Sequence, residues 1–225
     1  MNFNTIENKL LTMANKVSKY CVGMEGNISS KIDDIIIIKA SGSKLNELTI
    51  NDLVCINKED VNLTNPSKKA SMELGFHRFL LGFDNINFVA HTHPTNTVKI
   101  LCSNLSDEFS KNRLFPDQIV FNGKKSCLVP YAKPGEELTK LIKLFVNSFI
   151  KDEGYFPKLI LLKNHGIISC GETIDECIIS SDICEKSAEI FIGAYGLNKI
   201  NFLHDSEIND LVEDENEIYR KKLIK

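Results

Sequence analysis

The sequence predicts one α/β domain with a mixed sheet, and three observations carry that expectation. Long stretches place apolar residues at helical spacing, and shorter β-branched runs of strand length lie between them. Tight-turn residues join some of these runs while helical stretches join others, so hairpins and crossovers alternate. A chain of 225 residues is long for one domain and short for two, and 43% hydrophobic with 25% charged residues is ordinary globular composition. No repeat, linker or low-complexity segment divides it, so residues 1–225 are taken as a single unit.

The elements follow in order. Phe3, Ile6, Leu10, Met13, Ala14 and Val17 repeat at helical spacing over 3–20, ahead of Gly23. After the Gly26-Asn27 turn, a β-branched stretch over 28–39 is broken into a hairpin at Asp33-Asp34. Ser41-Gly42-Ser43 reads as a turn and 53–56 as a strand. Residues 71–81 read as a helix, and 86–91 as a strand ending in His-Thr-His-Pro. Pro94 fits the first turn of the next helix, where a missing N–H costs nothing. Short strands are expected at 119–121 and 126–129 around Asn122-Gly123, a good tight-turn pair. A helix over 134–150, strands at 158–164 and 167–170, and a long helix over 173–195 come next. Thr173 and Glu176 have the spacing of a capping box. The charged tail over 206–225 reads as a last helix.

Charge excludes some functions. The formal net charge is −3 and Lys and Arg form no isolated run, so the basic footprint of a nucleic-acid binder is missing. No apolar run approaches the roughly 20 residues of a membrane helix. The N-terminus lacks a basic-then-apolar leader, and seven cysteines occur without a C-x-x-C pair. The expected location is reducing cytoplasm, with no membrane and no nucleic-acid partner.

Five histidines are present, and His91, His93 and His165 stand at strand ends. His91 and His93 are two apart, which in an extended segment points both rings to one side. His165 lies between Asn164 and Gly166, where a tight turn aims the ring outward. Three imidazoles with an open position are a common set for catalytic zinc, and imidazole also suits manganese and iron. A lone H-x-H pair serves equally well as a structural pair; the second turn-borne histidine tips the reading to metal. Glu73 is the natural carboxylate partner, although a glutamate on a helix is usually solvated. His77, four residues on, reads more readily as packed or hydrogen-bonded than as a ligand. The turns at Gly26-Asn27 and Ser41-Gly42-Ser43 offer backbone N–H groups to an anion, yet such residues build turns in any case. His204 reads as structural or exposed.

Taken in order, Gly26-Asn27-Ile28-Ser29, Ala40-Ser41-Gly42, Ser71-Met72-Glu73, His91-Thr92-His93-Pro94 and Asn164-His165-Gly166 resemble the class II aldolase and adducin head family. The stretches Arg113 to Asp117 and Val129 to Gly135 resemble its rhamnulose-phosphate branch. The resemblance implies a three-layer α/β/α domain around a central mixed, largely antiparallel sheet. It implies zinc on His91, His93 and His165, with Glu73 as acid/base and Asn27, Ser41, Gly42 and Ser71 lining a phosphate pocket. Tyr219, the one tail tyrosine, corresponds to a proton donor supplied by a neighbouring subunit, and a homotetramer with sites between subunits is expected. The activity implied is reversible cleavage of a small phosphorylated sugar, a ketose 1-phosphate, to dihydroxyacetone phosphate and an aldehyde. One departure stands out: many phosphate-using members carry two serines before the glutamate, and here the second is Met72, which cannot donate to phosphate. A ketose-phosphate epimerase or dehydratase on the same metal is the alternative. An adducin-like interaction head would lack the histidines, and an all-β cupin would lack the helices.

Overall fold

The computed structural model describes residues 3–64, 66–197 and 199–223. One seven-stranded sheet runs through it. Its strands are β1 (Asn27–Ile32), β2 (Ile35–Lys39), β3 (Leu53–Ile56), β4 (Phe88–Thr92), β5 (Cys127–Val129), β6 (Leu159–Leu162) and β7 (Gly166–Gly171). They lie in the order β3-β2-β1-β4-β7-β6-β5. Every neighbouring pair is antiparallel except β5 with β6. The expected mixed, largely antiparallel sheet is therefore what forms.

Both faces are covered, which explains why Ile35 to Ile38 can be uniformly apolar. Successive side chains leave a strand on opposite sides. Ile36 and Ile38 accordingly pack with Phe76, Leu80, Leu138 and Ile142 on one face. Ile37 joins Leu10, Met13 and Phe88 on the other. The first face carries α2 (Leu74–Leu81) and α6 (Glu136–Glu153). The second carries α1 (Phe3–Val17) and the long α7 (Ile174–Gly196), whose Cys184, Ala188 and Phe191 pack on Leu159, Leu161 and Ile167. Thr173 caps α7 by accepting the Glu176 N–H at 3.3 Å.

Three expectations change. The segment at 119–121 is not a strand: Pro116–Asn122 forms helix α5, following α3 (Thr95–Leu101) and α4 (Ser106–Lys111). Three apolar residues carry too little periodicity to separate helix from strand. Pro116 opens α5 and Gly123, at φ 82°, closes it, so Asn122-Gly123 is a helix stop and not a hairpin. Consequently β5 reaches β6 through the α6 crossover and pairs with it in parallel. The tail is two helices, α8 (Asp205–Glu213) and α9 (Glu215–Lys222), separated at Asp214, whose ψ of 123° is extended; positions 224 and 225 lie outside the described residues. Finally, α2 begins at Leu74, so Ser71 and Glu73 precede the helix instead of riding on it.

Candidate metal centre

Sheet register delivers the site. In β4, His91 faces Asn27 of β1 on one side and Ile168 of β7 on the other. Residues two apart share a face, so Asn27 and Ser29, like Val89 and His91, look toward α2. Hairpin β6–β7 turns through Asn164, whose φ of 55° is left-handed, and this turn carries His165 alongside. Gly166 is tightly enclosed: a Cβ there would come within 2.5 Å of both His93 Cδ2 and the Thr92 carbonyl. The expected convergence of His91, His93 and His165 is present, with ligand atoms all within 4.8 Å of one another. No other such group occurs among the described residues.

The protonation pattern suits a cation. His91 Nδ1–H donates to the Ile167 carbonyl at 2.8 Å, which leaves a lone pair on Nε2. That Nε2 lies 3.1 Å from His93 Nε2, close to the roughly 3.3 Å between ligand nitrogens on a tetrahedral zinc. Burial pushes His91 down to about 4, a shift the Ile167 carbonyl only partly offsets. His93 and His165 are pushed down as well, by burial first and by the His91 charge second. Three imidazoles neutral at neutral pH are what a divalent ion requires. Two buried polar atoms here have no hydrogen-bond partner, Glu73 Oε1 and His165 Nδ1. Glu73 Oε1 faces the trio, where a bound ion or substrate would give it a partner, whereas His165 Nδ1 is turned away from the centre.

Glu73 is buried beside the trio. Its Oε2 lies 3.4 Å from His91 Nε2, and its Oε1 is 3.8 Å from His165 Nε2. A chain of hydrogen bonds fixes it. Ser29 Oγ donates to His77 Nδ1 at 2.6 Å, His77 Nε2–H donates to Asn27 Oδ1, and Asn27 Nδ2 donates to Glu73 Oε2 at 2.7 Å. With both ring nitrogens used, His77 is a hydrogen-bonded core residue and not a ligand. Burial, with the His91 charge second, holds it well below the usual imidazole range.

The anion-pocket candidates are partly assembled. Asn27 Nδ2 also reaches Ser71 Oγ at 3.3 Å, and the segment 69–71 runs beside 39–41, with Ser41 N–H on the Lys69 carbonyl and Ser71 N–H on the Lys39 carbonyl. Ser41 and Gly42 are exposed at the turn, Gly42 at φ 82°, and Met72 points to solvent. Lys39 was not foreseen: it reads as the polar end of a strand, yet only 2% of it is exposed. Its ammonium donates to the Met24 and Ser43 carbonyls, tying the two candidate turns together. Burial lowers its pKa.

Tyr219 is not part of this assembly. It lies on α9, and neighbouring Ile218 lines a hollow with Lys158 and Gly171, at the end of β7 opposite Gly166. Six strand residues separate those ends by roughly 17 Å. His204 forms the N-cap of α8 and is not a member of the histidine group.

Comparisons with known proteins bear on the family and the fold. The profile of the Class II Aldolase and Adducin N-terminal domain matches residues 12–192. An L-fuculose phosphate aldolase of Methanococcus maripaludis is 32% identical over 174 residues, 76% of this chain and 87% of that protein. A 3-oxo-tetronate 4-phosphate decarboxylase of Pectobacterium atrosepticum is 27% identical over 200 residues, 85% of this chain and 84% of that protein. Among solved structures, an L-fuculose 1-phosphate aldolase superposes with a TM-score of 0.77 at 20% identity, covering 95% of this chain and 97% of that one. A sugar-phosphate aldolase of Thermotoga maritima does so with a TM-score of 0.72 at 19% identity, covering 88% and 98%. With its fold, its ordered motifs and this match across most of its length, the chain belongs to the class II aldolase and adducin N-terminal domain family.

Proposed function

We propose that the protein is a divalent-metal lyase that reversibly cleaves a carbon–carbon bond in a small ketose 1-phosphate, yielding dihydroxyacetone phosphate and an aldehyde. One observation carries this reading: three neutral imidazoles, His91 buried and His93 and His165 half-buried, converge beside a carboxylate with one oxygen free. His91, His93 and His165 would hold the metal, with zinc the first choice and manganese or iron also suited to imidazole. When bound, a divalent cation polarises the substrate carbonyl and stabilises the enediolate left by cleavage.

The chain's own groups divide the remaining work. Cleavage breaks the bond between C3 and C4, sends its electron pair into the enediolate, and releases the C4 hydroxyl proton as the aldehyde forms. Glu73 then moves the proton at C3 through Oε1, since Oε2 is occupied by Asn27. Asn27, Ser41, Gly42 and Ser71 would receive the phosphate, and Lys39 beneath their turns adds positive charge there. Tyr219, remote from the histidines of its own chain, fits a proton donor for the aldehyde oxygen only in another subunit's site. A cytoplasmic homotetramer with sites between subunits completes the proposal.

The decarboxylase relatives favour a second reading, because loss of carbon dioxide from a 3-oxo acid phosphate reaches the same kind of enolate. The test is a panel of ketose 1-phosphates and 3-oxo acid phosphates, followed for dihydroxyacetone phosphate and for carbon dioxide with and without a chelator. Chelator-sensitive release of dihydroxyacetone phosphate and an aldehyde from a ketose 1-phosphate supports the aldolase. Carbon dioxide and dihydroxyacetone phosphate from a 3-oxo acid phosphate, with every ketose 1-phosphate left intact, would move the assignment to decarboxylation, and turnover of neither class by metal-loaded protein would move it to an epimerase or dehydratase.

A further inference from the structure

We infer that Glu25 is a positioning residue for His93: its carboxylate accepts the Nδ1–H and sets the strength of the metal site. The inference rests on the metal reading of His91, His93 and His165, and adds to it a residue that none of the motifs contains.

The three rings differ in what meets the nitrogen turned away from the centre. His91 Nδ1 has the Ile167 carbonyl, and His165 Nδ1 is buried with no partner. His93 Nδ1 faces Glu25 Oε2 at 3.6 Å, a small side-chain rotation from hydrogen-bonding distance. A histidine that binds metal through one nitrogen ordinarily donates the other N–H to a carbonyl or carboxylate. Such a partner fixes the tautomer, aims the ring and makes the ligand a better donor. The backbone of the His93 loop is already held, because its N–H donates to the Tyr20 carbonyl at 3.2 Å. What that bond leaves free is the ring's rotation, and Glu25 restrains it.

Glu25 is placed for this by its own loop. The Val22 N–H donates to Glu25 Oε2 at 2.9 Å, folding the carboxylate back across the turn. At Gly26, φ is 71°, and a Cβ would come within 2.8 Å of the His91 carbonyl and 2.5 Å of Cys21 Sγ. Only glycine lets this turn lie so close to β4, and that approach brings Glu25 to His93. Val22 and Met24, on either side, project into solvent. The Glu25 side chain is 44% exposed, so it sits at the rim of the site and not beneath it. With Glu73 on the inner side and Glu25 on the outer, two carboxylates flank the trio, matching the charge of a divalent ion.

The experiment measures zinc affinity of the full chain by chelator competition, in wild type, Glu25→Ala and Glu25→Gln. Loss of such a partner weakens metal binding by roughly 10–100-fold, the expected result for Glu25→Ala. Glu25→Gln, whose amide oxygen still accepts the N–H, should recover part of that loss. A loop-stabilising role alone would not move the proton resonance of the His93 ring N–H in the zinc-loaded protein. Its loss or marked shift in Glu25→Ala is expected. Zinc affinity within about twofold of wild type in Glu25→Ala, with that resonance unchanged, would overturn the inference while leaving the metal site intact. A wild-type chain that binds no zinc would overturn both.

Discussion

Ser29, His77, Asn27 and Glu73 show how a catalytic candidate is set by what each neighbouring atom can donate. Asn27 Oδ1 can only accept, so His77 must present its Nε2–H there and accept from Ser29 with Nδ1. The relay consumes one oxygen of Glu73 and leaves the other without a partner beside the histidines. On the proposed reading, His91→Ala removes a ligand and should strip most bound metal, whereas Glu73→Gln keeps the ligands and should lose turnover. Removing a positioned proton-transfer group typically costs 10²–10⁴-fold in rate. Metal analysis and steady-state rates on the same preparations check both; one metal per chain in His91→Ala, or normal turnover in Glu73→Gln, counts against the assignments. The histidines and Glu73 were visible in the sequence as ordered motifs. Lys39, Glu25 and the orienting role of His77 were not, because strand register and turn packing bring their partners together from 15 to 68 residues away in the chain.

Element boundaries followed the sequence where chemistry marked them. Thr173 with Glu176 announced α7, and the positive φ of Asp33 sits in the hairpin that Asp33-Asp34 suggested. Pro116 and Asn122-Gly123 were equally plain, but their meaning depends on whether the residues between are helical, and Ile119 to Phe121 is too short to say. The pairing of β4 with β7 is where element geometry meets the site. Ordinarily Gly→Ala stabilises by about 0.4–1 kcal/mol where the backbone permits. At Gly166 the added methyl would strike the Thr92 carbonyl and the His93 ring, and overpacking costs about 1–3 kcal/mol. The collision wins, so Gly166→Ala should lower thermal stability and weaken zinc binding together. A variant as stable as wild type with unchanged zinc affinity would show that the strand pair yields without disturbing His93.

At the scale of the molecule, the sheet is a scaffold that gathers loop and strand-end residues at one end of its central strands, and relatives named for aldol cleavage and for decarboxylation share the family. Fold therefore leaves the reaction open, and the site must decide it. No helix among the described residues is long and apolar enough to cross a membrane. The position of Tyr219, away from the histidines of its own chain, makes assembly part of the proposed chemistry. The central claim is that carbon–carbon cleavage runs on a metal held by His91, His93 and His165. Its most direct test is dihydroxyacetone phosphate release from L-fuculose 1-phosphate by metal-stripped enzyme titrated with zinc. The account predicts no release at the start, activity rising in proportion to zinc, and saturation at one ion per chain. Release that is undiminished by complete metal removal would contradict it.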